Sequence, residues 1–188
     1  MATHPDQVQV AEELVRKRYS WRGYQLPTPQ DAYIAEGEPG RVTIVAERSC
    51  GALVGTLTVR PDSPRGLLAE MTYASEIEDL RRKDHRLGEV VKLAVEEGAN
   101  SRVALDTLVR SAYVVSRHAH GRSHVVIEVN PRHVRFYEKV IGFVVASAER
   151  MCSRVGAPSV LMELDLEQFG RRLQATAGKV RPPLEVVT

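Results

Sequence analysis

The 188 residues carry 26 Lys and Arg against 24 Asp and Glu, a formal net charge of +2, and are 43% hydrophobic and 27% charged. That balance fits one compact domain with a sizeable core, or one domain plus a tail; near-neutral charge and only 5% aromatic residues exclude a global nucleic-acid argument and a base-stacking platform. There is no apolar run long enough for a membrane span and no signal-peptide pattern at the N-terminus, and two cysteines, Cys50 and Cys152, make no disulfide framework, so a reducing cytoplasm is expected.

In chain order, residues 6–18 read as an amphipathic helix, with Val8, Ala11, Leu14 and Val15 on one face. Residues 20–40 are rich in Pro, Gly and aromatics and read as a long loop. Residues 42–46 and 52–59 read as a hairpin through Gly51. After the punctuation of RPDSPRG, residues 73–83 read as a helix. Residues 87–95 form a strand with Leu87, Val91, Leu93 and Val95 on one face. Ser101 caps a helix that runs to His120 and stops at Gly121. Residues 124–129 are a near-continuous apolar run, as in a central strand. Asn130 caps a further helix, with Pro131 in its first turn, Val134, Tyr137 and Ile141 at helical spacing, and Gly142 as its stop. Strands follow from about residue 143 and at 159–166, and residues 167–188 read as a polar tail. The order predicts an α/β (α+β) domain over residues 1–166, a mixed central sheet flanked by helices.

Among residues that can carry chemistry, Glu89 stands out. It shares its predicted strand face with Leu87, Val91 and Leu93, and a carboxylate on an apolar face needs a partner or a purpose. Desolvation would raise its pKa and suit it to act as a base; a structural ion pair, for example with Arg81 or Lys92, is the other reading. Arg132 in a first helical turn opposes the helix dipole and hints at an anionic contact, whereas the helix cap accounts for Asn130. His118 and His120, two apart on a helix, do not share a face, and with no cysteine cluster no metal site is expected. Arg102, Arg110 and Arg117 fall within roughly 80° of one another on an ideal helix. With Arg82, Lys83 and Arg122 they can form a basic face for an acidic protein partner, or an ordinary solvated surface that also holds Asp106.

The string N130-P-R-H-V-R-F-Y-E-K-V-I-G-F143, the strand E89-V-V-K-L-A-V95, and the segments GTLTVRPDSP, EIEDLR, IEVNPRH and PSVLMELD together resemble the N-acyl amino acid synthases that use acyl carrier protein. These have a GNAT-like acyltransferase fold and are related to acyl-homoserine lactone synthases. The resemblance spans residues 46–166. It implies transfer of a fatty acyl group from the phosphopantetheine of acyl carrier protein to the α-amine of an amino acid, with no resident cofactor. It implies Glu89 as the base, Lys92 as a pocket residue brought alongside by a strand bulge, whose N–H groups would hold the oxyanion, and Tyr137 as proton donor to the leaving thiolate. Packing on the sheet is the other reading of Tyr137. The resemblance extends loosely to Arg16, Arg18, Tyr19 and Trp21 as the frame of the amine pocket, with Arg16 or Arg18 on the acceptor's carboxylate and Asn130 and Arg132 near the substrates. The Gly-rich pyrophosphate turn of coenzyme-A users is missing: V95-E-E-G-A-N-S-R-V103 offers Gly98 and two acids. Residues 20–40, with Trp21, Tyr24 and Tyr33, are expected either to close as a lid over the acyl and amine sites or to be a static surface loop. An acyl-homoserine lactone synthase using S-adenosylmethionine, a coenzyme-A-dependent acetyltransferase and a non-catalytic carrier-binding module are the competitors. For the first, only Asp31 and Glu36 are at hand as the upstream acids.

Overall fold

The computed structural model describes residues 5–24, 38–98 and 101–176. β1 (Val42–Glu47) and β2 (Leu53–Pro61) form the expected antiparallel hairpin, its turn allowed by Gly51 at φ 80°. β3 (Leu87–Val95) pairs antiparallel with β2 and parallel with β4 (His124–Val129). β7 (Ala157–Asp165) lies beyond β4, and the short β5 (Val144–Val145) and β6 (Arg150–Cys152) both pair with it. The result is a seven-stranded mixed sheet of order β1-β2-β3-β4-β7-β5, with β6 alongside.

Helices cover both faces because the central strands alternate apolar residues to both sides. Tyr73, Ile77 and Leu80 of α2 (Glu70–Arg82) pack on Leu87, Val126 and Leu161. The neighbours of Val126, Val125 and Ile127, face the other way and meet Val109 and Tyr113 of α3 (Ser101–Val114). Ala104, Leu108 and Ala112 of α3 bury against Ile44, Leu57 and Val59, where each large side chain contributes about 2 kcal/mol. α1 (Pro5–Trp21) seats Leu14 and Val15 on Ala94 and Leu53.

After β4, Asn130 acts as the expected cap: its Oδ1 accepts the Arg132 N–H at 3.2 Å. A 3-10 turn (Pro131–His133), a single α-turn α4 (Val134–Phe136) and a π-turn (Tyr137–Ile141) follow, ended by Gly142 at φ 102°. α3 likewise ends in a π-turn (Val115–Ala119).

The structure corrects three expectations. First, Ser20 and Trp21 belong to α1 rather than to a loop; residues 25–37, with Tyr33 and most of the proposed lid, lie outside the described residues. Second, β3 does not keep one face. Thr58 pairs with Val91 but Thr56 with Ala94, so Lys92 and Leu93 stand opposite the single residue Leu57, and Lys92 takes φ 55°. That bulge puts Leu87 on the α2 face and sends Leu93 and Val95 to the cluster under α3. Third, the stretch after residue 166 is not simply a polar tail. α5 (Leu166–Thr176) buries Leu166, Phe169 and Gly170, and Leu173 packs behind them. Residues 177–188 lie outside the described ones.

Candidate active site

β3 and β4 pair only at Leu87–His124, Gly88–Val125 and Glu89–Val126, and then diverge. The bulge bends β3 away at the point where β4 continues to pair with β7. A cavity of about 420 Å³ fills the splay. Its buried end is apolar, lined by Leu57, Val125, Ile127, Phe143, Leu164 and Phe169. Half-buried polar groups line its other end: Arg18, Tyr19, Arg22 and Tyr24 from the end of α1, and Asn130, His133 and Tyr137 from the turn after β4.

Tyr137 is held edge-on between Phe136 and Phe143, with ring centroids 5.4 and 5.8 Å away. Burial pushes its phenol up to about 12, so it carries its proton at neutral pH. Burial likewise raises Tyr19, which sits edge-on to Tyr24. Arg22 donates from Nη1 to His133 Nε2 at 2.6 Å and lies over the Trp21 ring. Burial and then the Arg22 charge hold the His133 imidazole below its ordinary value. Asn130 donates to the Pro158 carbonyl and accepts from the Arg132 amide and guanidinium.

Glu89 does not line this cavity. It is 1% exposed and lies beneath the start of α2. Its carboxylate accepts from the Leu68 and Ala69 amides at 2.9 and 2.8 Å and from Arg60 Nη1 at 2.8 Å. Arg60, which stands opposite Glu89 in the β2–β3 ladder, also holds Glu38 with two bonds of 2.8 Å. The bond from Arg60 keeps Glu38 below the usual carboxylate range. Burial pushes Glu89 up, against the pull of the two amides and Arg60. The apolar face predicted around Glu89 is thus replaced by a buried Glu–Arg–Glu cluster that anchors the first turn of α2. Glu38 supplies an upstream acid to this cluster; Asp31 and Glu36 lie outside the described residues.

The other predicted residues separate. Arg18 lines the cavity, stacks over Trp21 and pairs with Glu97 at 2.6 Å. Lys92 lines it too, but the bulge leads its ammonium to Glu12 at 3.2 Å rather than to Glu89. Arg16 is exposed on α1, Trp21 is 69% exposed, and Arg132 is exposed beside Asn130; none of the three lines the cavity. The six basic residues proposed for docking do not share one face. Arg82 and Lys83 end α2 on one side of the sheet, with Arg82 paired to Asp79. Arg102 and Arg110 ride α3 on the other, with Arg110 paired to Asp106. Arg117 lies in the π-turn, where α-helical spacing no longer holds, and donates to the Arg122 carbonyl.

Sequence reasoning missed Arg22 and His133, although His133 and Tyr137 stand four apart, the spacing that shares a helical face. It also missed Glu128, a β4 carboxylate lining the cavity, bonded to Arg154 and to Ser159 at 2.7 Å. Cys152 is buried beside it, its thiol raised chiefly by burial and also by a bond to Glu128.

The sequence profile of the N-acyl amino acid synthase FeeM family matches residues 10–165. The solved structure of FeeM, an N-acyl amino acid synthase from uncultured soil microbes, superposes with a TM-score of 0.78 at 25% identity, covering 88% of this chain and 94% of that one. TofI, solved in a ternary complex with an inhibitor and MTA, shares the fold at 15% identity and TM-score 0.58, over 85% of each chain. Aminoglycoside 6'-acetyltransferase type Ii does so at 17% identity and TM-score 0.57, over 87% of this chain and 92% of its own. No curated protein sequence matches the chain. The fold is GNAT-like, and the protein is an N-acyltransferase.

Proposed function

The chain belongs to the N-acyl amino acid synthase FeeM family, and we propose that it moves a fatty acyl group from acyl carrier protein to the α-amine of an amino acid. One observation carries this reading. The cavity in the β3–β4 splay has an apolar end inside the core and a polar end where α1 meets the turn after β4. An acyl chain fits the former, and an amine with its carboxylate fits the latter. A donor that delivers only an acetyl group has no use for an apolar chamber reaching Phe169 of α5.

Acyl carrier protein is the better donor because coenzyme A brings a pyrophosphate. β3 is followed by Glu96 and Glu97, tied to Lys17 and Arg18, where a pyrophosphate would meet two carboxylates instead of a ring of amides. In the proposed reaction the thioester lies across the bulge, and N–H groups of the bulge stabilise the oxyanion. Tyr137, protonated and lining the cavity, gives its proton to the departing phosphopantetheine thiolate. Glu89 acts by holding β3 and α2 in place, without touching substrate. Arg18 and Lys92, both at the cavity, guide the acceptor.

Purified protein incubated with long-chain acyl carrier protein and a mixture of the twenty amino acids should give N-acyl amino acids by mass spectrometry, and acyl-coenzyme A should serve poorly. Acylation of coenzyme-A-delivered short chains only, or lactone formation from S-adenosylmethionine, would replace this reading.

A further inference from the structure

With Glu89 saturated beneath α2, the cavity needs another group to take the acceptor's proton. We propose that His133 is that base and that Arg22 is the latch that controls it. The guanidinium occupies the imidazole and turns to the carboxylate of an incoming α-amino acid. This rests on the reading of the acceptor given above.

A guanidinium only donates, so His133 Nε2, 2.6 Å from Arg22 Nη1, accepts and the ring proton sits on Nδ1. The lone pair that a base would use is therefore present, aimed at the cavity's polar end, and capped by a replaceable partner. The Arg22 guanidinium carbon lies 5.8 Å from the Trp21 ring centroid, so the planar head can turn away from Nε2 while staying over that ring. Among the described residues, the charged groups facing the ring are Arg22 from the end of α1 and Arg132 from its own turn. Both are cations, and they act with burial to hold the imidazole low. A carboxylate that engages Arg22 removes the nearer cation from Nε2 and brings a negative charge, which restores basicity when the amine is in place. An amine without a carboxylate leaves the latch shut, and this selects α-amino acids over simple amines.

The amine nitrogen forms the C–N bond to the thioester carbonyl carbon, whose π pair moves to oxygen. The amine proton passes to His133 Nε2. The oxygen pair returns, the C–S bond breaks, and the thiolate takes the Tyr137 proton. Imidazolium and phenolate then neutralise each other through water.

Two measurements test this. In wild-type protein with labelled histidine, an imidazole NMR titration should show the His133 pKa rising when the twenty-amino-acid mixture is added, and unmoved by the corresponding amino acid amides. In turnover, His133→Gln and His133→Asn should lower kcat about a hundredfold and abolish the acid limb of the pH profile. Arg22→Gln should instead raise the amino acid KM about tenfold or more and keep that limb. An imidazole indifferent to amino acids that the wild type acylates, or His133 variants with wild-type kcat and pH profile, would overturn the proposal and leave the acyltransfer reading intact. A titration shift without any acylated product would do the reverse.

Discussion

The molecule holds two polar centres on either side of the same strand junction, and they are built on opposite principles. Beneath α2, Glu38, Arg60 and Glu89 form a sealed cluster in which the guanidinium makes three bonds to carboxylates and two backbone amides complete the Glu89 shell. In the splay, Arg22, His133 and Tyr137 line open volume, and the one bond between Arg22 and His133 is exchangeable. A buried charge with all its sites committed fixes geometry, because moving any member strands the others in a low dielectric. A half-buried group with one replaceable partner can change partners during a reaction. A charge in an apolar strand therefore identifies a working residue only when a cavity reaches it.

Removing the centre of the sealed cluster should have the largest effect. Arg60→Met leaves two buried carboxylates unpaired and should cost about 3–5 kcal/mol, seen as an early urea midpoint. An unchanged midpoint would mean that the cluster is not the brace described here. In the open centre, Tyr137→Phe should keep the urea midpoint close to wild type but lower kcat about a hundredfold with long-chain acyl carrier protein. Equal kcat would reduce Tyr137 to packing between Phe136 and Phe143. Glu89→Gln sharpens the contrast most directly. The amide keeps the shape but weakens the bonds to Leu68, Ala69 and Arg60, costing about 2 kcal/mol. Its effect should be on stability, with a pH–rate profile of wild-type shape. If stability holds and kcat falls a hundredfold, Glu89 is the base after all, and the sealed and open centres exchange roles.

The sequence made the frame legible. The hairpin, β3, β4 and the Asn130 cap follow from alternation, turn glycines and capping chemistry, and the structure keeps them. What escaped were features set by pairing between distant segments. The face of Glu89 depends on a bulge at Lys92 that alternation cannot show. Its partner Arg60 becomes visible only once the β2–β3 register is known, and Glu38 only once the chain before β1 is folded back. The α5 helix was legible in principle, since Leu166, Phe169, Gly170 and Leu173 recur at helical spacing, but the charged residues between them masked it. The cavity itself has no sequence signature, because it arises from two strands that cease to pair.

The smallest expected effect separates the two centres by pH. In the open centre, burial and the Arg22 and Arg132 charges lower the folded pKa of His133; burial also lowers His120 beside Arg122, and His124 beside His85. A lowered imidazole binds fewer protons folded than unfolded, so stability rises with pH across the interval between the two values. The loss begins as pH falls below about 6.5, the unfolded value, and stops growing below the folded ones. In the sealed cluster the signs differ. Glu38, lowered by Arg60, contributes stability that is present above its unfolded value and is lost as pH falls through its folded one. Glu89, raised by burial, works against the fold as pH rises through its own interval. Between pH 8 and 5 the lowered histidines should therefore pull the melting temperature down with acidification, opposed by Glu89 wherever its raised interval overlaps theirs. His124→Gln, which lies outside the cavity lining, and His133→Gln should each flatten that decline without changing its onset. Below about pH 4.5, the unfolded carboxylate range, the slope should also respond to Glu38→Gln. A decline between pH 8 and 5 that the histidine variants leave untouched would mean that the lowered imidazoles do not set stability in that range.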